Sequence, residues 1–462
     1  MSLKAHPQVN RLILLGVLLS CSLRGYSQPG STTPEMQFDS LGITNELGFT
    51  LEDFFTSAID FSPELQIARE QLQIGSARKR AATGRLLPQL NANASLSDND
   101  RTSAQDDQRY TGERYNVQLS QILFDWQQFA SRKQASYLEN QREAEYYVRL
   151  GELLTEVAGR YFDVLQAEDA LTSIRTELNA VTTQLNLVEN YYQRQLAQIT
   201  DLYDAQAQLA AVQAEELALE SELQLAREAL RSRSGITPGA LHRLGEEVAI
   251  PALEENLSYW VEQGLQNNQL ILASESAQQA AKQGVSARRG AYLPTVNLIV
   301  QQQNSNLGFD NAPLLKTDTT YVGVNVSIPL YAGGSNRAAV REAQSLENIA
   351  ENELRLTQLG VNERIRAAFL QVRASEARTE AARRLVESTA LSAEARARGF
   401  ELGTVNSVDM LNSLRDQFQA ERDFQRTRYE HIKMLLELKR ETGTLTGDDL
   451  LEVGGWLVEP DA

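Results

Sequence analysis

The sequence predicts an all-α tube of long, mutually wound helices joined to amphipathic β-strands of the kind that build a transmembrane barrel. Three observations carry this. Two long intervals lack proline and are rich in helix formers, an apolar repeat of about 3.5 residues runs inside them, and two short blocks alternate polar and apolar side chains as strands do.

Composition narrows the field first. The 462 residues include 1 Cys, 3 His and 11 Pro, which excludes a disulfide-stapled scaffold and disfavours a soft-metal protein. Hydrophobic residues make up 42% and charged residues 23%, too much apolar material for a disordered chain. Asp plus Glu outnumber Lys plus Arg by 61 to 44, a formal charge of -17 that repels phosphate backbones and argues against nucleic acid as a partner.

At the N-terminus, Leu12 to Leu23 follows Lys4 and Arg11 and is too short to span a bilayer. It has the layout of a secretory signal peptide. Two processing routes fit. Gly25 and Ser27 supply small residues for cleavage after Ser27, whereas Leu18-Leu19-Ser20-Cys21 resembles a lipobox that would acylate Cys21. No other apolar run reaches eighteen residues, so the exported chain either stays soluble or crosses a membrane as strands of a closed barrel.

No proline occurs between Pro88 and Pro238, or between Pro329 and Pro460. Inside the first interval, Tyr147, Leu150, Leu154, Val157, Tyr161 and Val164 step alternately by three and four residues. Leu171, Ile174, Leu178, Val181, Leu185, Val188 and Tyr192 continue the pattern. So do Leu202, Ala205, Leu209, Val212, Leu219, Leu223, Ala226 and Leu230, with Glu216 as the polar member. Such spacing predicts left-handed supercoiling. A helix over Ser131 to Tyr191 would be about 90 Å long at ~1.5 Å per residue.

The chain is also a duplication. Leu86-Leu87-Pro88-Gln89-Leu90-Asn91 recurs as Tyr292-Leu293-Pro294-Thr295-Val296-Asn297, and Leu119 to Phe124 recurs as Val326 to Tyr331, at a spacing of 206 to 207 residues. Each copy opens with a helical stretch, Leu51 to Gly84 and Asn256 to Gly290, and then alternates. Leu90, Ala92, Ala94 and Leu96 alternate with Gln89, Asn91, Asn93 and Ser95; Tyr115, Val117 and Leu119 alternate with Asn116, Gln118 and Ser120. In the second copy Val322, Val324, Val326 and Ile328 alternate with polar or small residues, while Ile299 breaks the parity beside Val296, Leu298 and Val300. Polar loops are expected over Asp98 to Glu113 and Asn304 to Asp318, with Tyr110, Phe124, Trp126, Tyr292 and Tyr331 near strand ends. A soluble sheet with one buried face alternates in the same way. Four strands do not close a barrel, since roughly eight is the minimum, so a barrel requires several copies and three would give about twelve strands.

These residues, together with Gln198 to Ala205, Leu402 to Leu411 and the tail Leu436 to Leu445 followed by Asp448-Asp449-Leu450, resemble the TolC family of outer-membrane efflux ducts across nearly the whole exported chain. The resemblance implies a homotrimer with four strands per protomer, a twelve-stranded barrel in outer-membrane lipid, and a helical tunnel through the periplasm of a Gram-negative-type bacterium. It implies a passive exit duct of a tripartite efflux pump or type I secretion system. Such a duct is opened by a periplasmic adaptor and powered by an inner-membrane pump of RND, ABC or MFS type. No enzyme activity and no cofactor are implied. The domains then read as a signal peptide (1–27), an extended segment (28–50), a first repeat (51–237), a linker (238–255), a second repeat (256–447) and a tail (448–462).

The resemblance places the turns around Thr200-Asp201 and Gly403 to Leu411 at the closed periplasmic tip. There an acidic residue at the position of Asp409 projects into the aperture, and three such carboxylates form a ring favouring cations. A helix N-cap or dipole role is the competing reading for both Asp201 and Asp409. The family's second acidic position is Asn412 here. A Tyr and an Arg that tie helix pairs shut elsewhere correspond to Phe400 and Val405, so closure is expected to rest on apolar packing.

Other chemistry has little support. His6 lies in the leader, His242 and His431 lack metal-spaced partners, and Ala332-Gly333-Gly334-Ser335 reads as a turn between barrel and tube. The acidic groups Asp98 to Asp107 and Asp448-Asp449 lack calcium-loop spacing and read as solvated. A soluble, elongated periplasmic coiled-coil scaffold or adaptor is the alternative function. The cargo is not encoded.

Overall fold

The computed structural model describes residues 48–102, 107–245, 248, 250–253, 255–306 and 316–459. The leader, Cys21 and the cleavage position after Ser27 lie outside the described residues.

Each half of the chain follows one plan. The first comprises α1 (Leu51–Phe61), α2 (Pro63–Gly84), β1 (Gln89–Thr102), β2 (Asp107–Phe124), α3 (Trp126–Gln193) and α4 (Ile199–Ser234). After β3 (Arg243–Leu244) the second comprises α5 (Leu257–Asn267), α6 (Gln269–Gly290), β4 (Thr295–Ser305), β5 (Thr317–Ser327), α7 (Ser335–Glu401) and α8 (Ser407–Thr442). The chain closes with α9 (Gly447–Gly455) and β6 (Leu457–Val458), and β6 pairs with β3. The segment read as a tail is therefore docked: Leu450 and Val453 join the main core, and Asp449, read as solvated, caps α9 and meets Lys439 Nζ at 2.6 Å.

The opening helical stretch of each half is two helices. Ser62 accepts from Leu65 N–H ahead of Pro63, and Asn268 Oδ1 accepts from Leu270 N–H at 2.9 Å and Ile271 N–H at 3.3 Å. Each residue ends one helix and starts the next, because its side chain satisfies donors the backbone leaves orphaned. The ends of α4 and α8 repeat this symmetry. Gly235 and Gly443 take φ of +75° and +69°. A Cβ on Gly443 would strike the carbonyl of Asn267, and one on Gly235 would lie 2.7 Å from the Phe61 ring. Only glycine fits both the left-handed backbone and the close approach.

At 68 and 67 residues, α3 and α7 are each about 100 Å long. Each folds back into a partner of 36 residues, α4 and α8. The 3.5-residue positions line these contacts: Val157, Tyr161, Val164, Ile174, Val181, Val188, Ala205, Val212 and Leu230 are all buried. Glu216, the polar exception, accepts from Arg175 Nε at 3.0 Å across the α3–α4 pair. The main core gathers where α1, α3, α8 and α9 meet, with Phe54, Tyr161, Phe162 and Tyr429 in ring contact.

The four long strands form one antiparallel sheet in the order β1-β2-β4-β5. Its register sorts the side chains by face. One face carries Leu90, Ala92, Ala94 and Leu96 beside Leu119, Val117 and Tyr115; the other carries Gln89, Asn91 and Asn93 beside Ser120, Gln118 and Asn116. Ile299, the parity breaker, stands on the polar face between Ser120 and Gly323. The apolar face is solvent-exposed in one chain, with Leu90, Leu96, Val322, Val324 and Val326 each more than half exposed. Its belt also runs obliquely. From β1 to β5 it drops by about five residues against the register, which corresponds to a strand tilt of roughly 45–50°, near the tilt of membrane barrels.

The expectation of a loop over Asp98 to Glu113 is corrected. Strand pairing continues to Thr102 opposite Asp107. Backbone hydrogen bonds propagate a hairpin whatever its side chains, and beyond the apolar belt both faces are polar, so alternation vanishes while the ladder persists.

Candidate functional site

At the end remote from the sheet, α3 turns into α4 and α7 into α8. The two turns are built alike, 208 residues apart. Gln195 takes φ +59° where Gly403 takes φ +73°. Leu196 N–H donates to Tyr191 O, as Thr404 N–H does to Gly399 O, both at 2.8 Å. Val405 folds back over Gly399, where a Cβ would lie 2.5 Å from its Cγ2.

Asp201 and Asp409 occupy the same third position of α4 and α8, but their surroundings differ. Asp201 Oδ2 accepts from Gln198 N–H at 2.9 Å, and its Oδ1 accepts from Ser407 Oγ–H, also at 2.9 Å. Both carboxylate oxygens are engaged, in a cap and in a link between the two helix pairs. Asp409 is exposed, and its cap is supplied by Asn406, whose Oδ1 accepts from Asp409 N–H at 2.7 Å. No described residue hydrogen-bonds the Asp409 carboxylate; its main-chain carbonyl accepts from Arg396 Nη1 at 3.2 Å. Thr200 donates to Gln198 Oε1 at 3.4 Å, and Asn412 is half-buried one turn beyond Asp409.

Phe400 and Val405 pack against a small cluster of Ala205, Met410 and Leu411, with Leu185 alongside. Phe400 also stacks on Tyr191, with centroids 5.8 Å apart and planes 28° apart. The turns are thus joined by one charge-assisted hydrogen bond and an apolar cluster within a single chain. Ser407, 2% exposed, and Tyr191 were not apparent from sequence. A serine opening a helix after an asparagine cap carries no sign of a partner 206 residues away.

Above the turns the helix pairs separate around a cavity of about 830 Å³ lined by α3, α4 and α8. Part-buried polar contacts join α3 to α8 at and beside its wall. Arg422 Nη1 binds Glu177 Oε2 at 2.7 Å, Tyr429 Oη donates to Asp169 Oδ2 at 2.6 Å, and Lys433 Nζ meets Asp163 at 2.9 Å. Burial pushes the Asp169 carboxyl up, against the lowering effect of the Tyr429 hydrogen bond. Burial first, and the Asp169 charge second, push the Tyr429 phenol up. Tyr429 therefore remains the donor at any physiological pH. His431 is buried with Nδ1 2.8 Å from Ser375 Oγ, a structural position, and burial holds its pKa below the ordinary value.

Among the described residues no group of His, Cys, Asp and Glu could hold a metal ion, and no helix is long and apolar enough to cross a membrane.

The chain matches the family described as "Outer membrane efflux protein" over residues 55–235 and 260–444, one stretch in each half. It is 28% identical over 413 residues to "Outer membrane protein TolC" of Vibrio cholerae, covering 88% of this chain and 93% of that one. To "Alkaline protease secretion protein AprF" of Pseudomonas aeruginosa it is 23% identical over 411 residues, covering 87% and 85%. Among solved structures it resembles CusC, at a TM-score of 0.74 and 17% identity over 85% of this chain and 92% of that one, a likeness of fold. With both halves matched, an α-helical tunnel and a β portion in place, the chain belongs to the outer membrane efflux protein family and is an outer-membrane exit duct.

Proposed function

We propose that three copies of this chain assemble into one pore, with a twelve-stranded barrel in outer-membrane lipid and a twelve-helix tunnel reaching into the periplasm. One observation carries the reading. The four-stranded sheet shows an oblique apolar belt on one face and carboxamides on the other, and both outer strands, β1 and β5, end the sheet with edges that no described residue pairs. Exposed edges and an exposed apolar face are tolerated together only when further strands close the sheet inside lipid.

In this reading the paired turns form the periplasmic aperture. Asp409 supplies its charge, since its carboxylate is solvent-facing where that of Asp201 is engaged. The Ser407–Asp201 link and the Phe400–Tyr191 stack hold the helix pairs together. A periplasmic adaptor would separate them, and an inner-membrane pump of RND, ABC or MFS type would drive cargo through. Relatives named for outer-membrane efflux and for protease secretion support export in general, with the cargo set by the pump.

The test is physical. Outer membranes containing the protein are washed with high salt and carbonate, and the purified protein is added to planar bilayers. A duct stays in the membrane fraction and conducts. Release by the washes, with a silent bilayer, would show a soluble scaffold instead.

A further inference from the structure

We infer that the end of the helical tube next to the sheet is a cationic collar for the phosphate headgroups of anionic phospholipid in the periplasmic leaflet. This rests on the barrel reading above, which brings that end of the tube to the membrane surface, and adds to it the lipid chemistry met there.

The collar begins in the sequence. In a chain of net charge -17, no carboxylate stands between Glu70 and Asp98 or between Glu275 and Asp310. The first stretch holds Arg78, Arg80 and Arg85, and the second holds Arg288 and Arg289. These residues end α2 and α6, just before the chain enters β1 and β4.

Contacts bring four helix ends to one level. Arg132 Nε, in the second turn of α3, donates to Thr83 Oγ1 at the end of α2 at 3.3 Å. Trp126 Nε1, at the start of α3, donates to Ser286 Oγ of α6 at 3.1 Å. Asn336 Nδ2, in the first turn of α7, donates to Ala291 O just after α6 at 3.4 Å. Lys133 of α3 and Arg337 of α7 therefore join the arginines of α2 and α6 in one band. At ~1.5 Å per residue the band reaches about 10 Å from the strand ends. The polar layer on each side of a bilayer is roughly 5–8 Å deep, and long cationic stems reach the remaining distance.

Two features mark the band as a surface for an outside anion. The first is pairing. Along the shafts of the helices Arg175, Arg227, Arg364 and Arg422 each hold a carboxylate. Arg85, Lys133, Arg288, Arg289 and Arg337 are exposed and, among the described residues, have no carboxylate within 4.0 Å. The carboxylates at this level are Asp125, which caps α3, Glu139, which holds Lys79, and Glu342. Like charges gathered in this way repel one another, and an anionic surface removes that cost.

The second feature is order along the surface. Between the apolar belt and the band stand Trp126, Tyr292, Leu330 and Tyr331, the last two 92% and 88% exposed. Tryptophan and tyrosine favour the membrane–water boundary. Apolar belt, aromatic border and cations follow one another as acyl chain, interface and phosphate do. The opposite border of the belt has the other sign: there Asp98, Asp100, Asp107 and Glu113 share the belt's face with Arg109. The cationic border adjoins the tunnel, so its headgroups are those of the periplasmic leaflet. A phosphodiester without a compensating ammonium, as in phosphatidylglycerol, suits the guanidinium fork.

Trp126, at the edge of the collar, reports on the lipid beside it, while Trp260 and Trp456 pack against the cores of the tube and give a constant background. The full-length protein is reconstituted in phosphatidylcholine bilayers with rising fractions of brominated phosphatidylglycerol or brominated phosphatidylcholine, and tryptophan fluorescence is read. One cation near an anionic surface enriches such a lipid about fivefold. Brominated phosphatidylglycerol is therefore expected to reach half-maximal quenching at a mole fraction lower by about fivefold or more, with the gap closing in high salt. Arg85→Gln, Arg288→Gln, Arg289→Gln and Arg337→Gln combined should bring the two lipids together, whereas Arg85→Lys, Arg288→Lys, Arg289→Lys and Arg337→Lys combined should keep them apart. Equal quenching by both lipids in a protein that conducts overturns the collar and leaves the pore standing. A glutamine variant that keeps the lipid preference but shifts the reversal potential puts the cations in the lumen and also overturns it. Inorganic phosphate that relieves the quenching more than chloride of equal ionic strength makes this a free-anion site and overturns the lipid assignment. No quenching by either lipid, with no conductance, overturns the barrel reading itself.

Discussion

Ser407 Oγ–H donates to Asp201 Oδ1 at 2.9 Å, joining the first residue of α8 to the first turn of α4 across 206 residues of chain. Because Asp201 keeps its cap to Gln198 through the other oxygen, the link can be removed without uncapping the helix. Hydrogen bonds to charged groups contribute about 1.5–3 kcal/mol. Ser407→Ala should therefore loosen the tip and raise single-channel conductance in planar bilayers, with little change in helicity by circular dichroism. Unchanged conductance would assign Ser407 to local packing alone.

Asp409 differs from its counterpart in having a solvent-facing carboxylate. Asp409→Asn should leave the pore open to the same degree but raise its anion permeability, because in the proposed trimer three symmetry-related charges are removed from the aperture. Reversal potentials in a salt gradient read this directly. Identical ion selectivity in the variant would remove Asp409 from the aperture.

Glu177 is 1% exposed and, among the described residues, is paired with Arg422 at 2.7 Å. Removing one partner of a buried pair strands the other charge and costs about 3–5 kcal/mol. Arg422→Ala should lower the thermal midpoint in detergent more than the double variant Glu177→Leu with Arg422→Met. If the double variant proved the less stable, the pair would be net favourable rather than a device that keeps α3 and α8 in register.

His431 gives a pH dependence of known sign. Burial holds its imidazole below the ordinary value of 6.5, with the Glu376 charge opposing. As pH falls below about 6.5 the unfolded chain takes up a proton that the folded chain refuses, so stability declines in acid and is flat above. His431→Asn, which can still reach Ser375, should lose this part of the acid sensitivity. Parallel melting curves for the two proteins between pH 7.5 and 5.5 would contradict it.

Much of this architecture is legible in the chain. The steps from Tyr147 to Leu230 describe α3 and α4, and the recurrence of Leu86 to Asn91 at Tyr292 to Asn297 announces two equivalent halves. The strand blocks at Leu90 and Val322 are visible because each carries apolar side chains on one face and polar or small ones on the other. Where that pattern stops, so does the signal, and within the stretch Asp98 to Glu113 that reads as loop, Asp98 to Thr102 and Asp107 to Glu113 are strand. Ser62 and Asn268 act by capping, a local hydrogen bond that leaves no periodic trace, so each helix pair reads as one stretch.

What the sequence by itself determined is the set of elements, their duplication and the face each strand offers, because periodicity and propensity are properties of neighbouring residues. Only the tertiary structure decided that β2 lies beside β4, that Asp201 is engaged while Asp409 is not, and that Arg85, Arg288 and Arg337 reach one level beside the sheet. Those outcomes depend on groups some two hundred residues apart arriving at the same point. The energy of such a meeting belongs to the pair and is written in neither local segment.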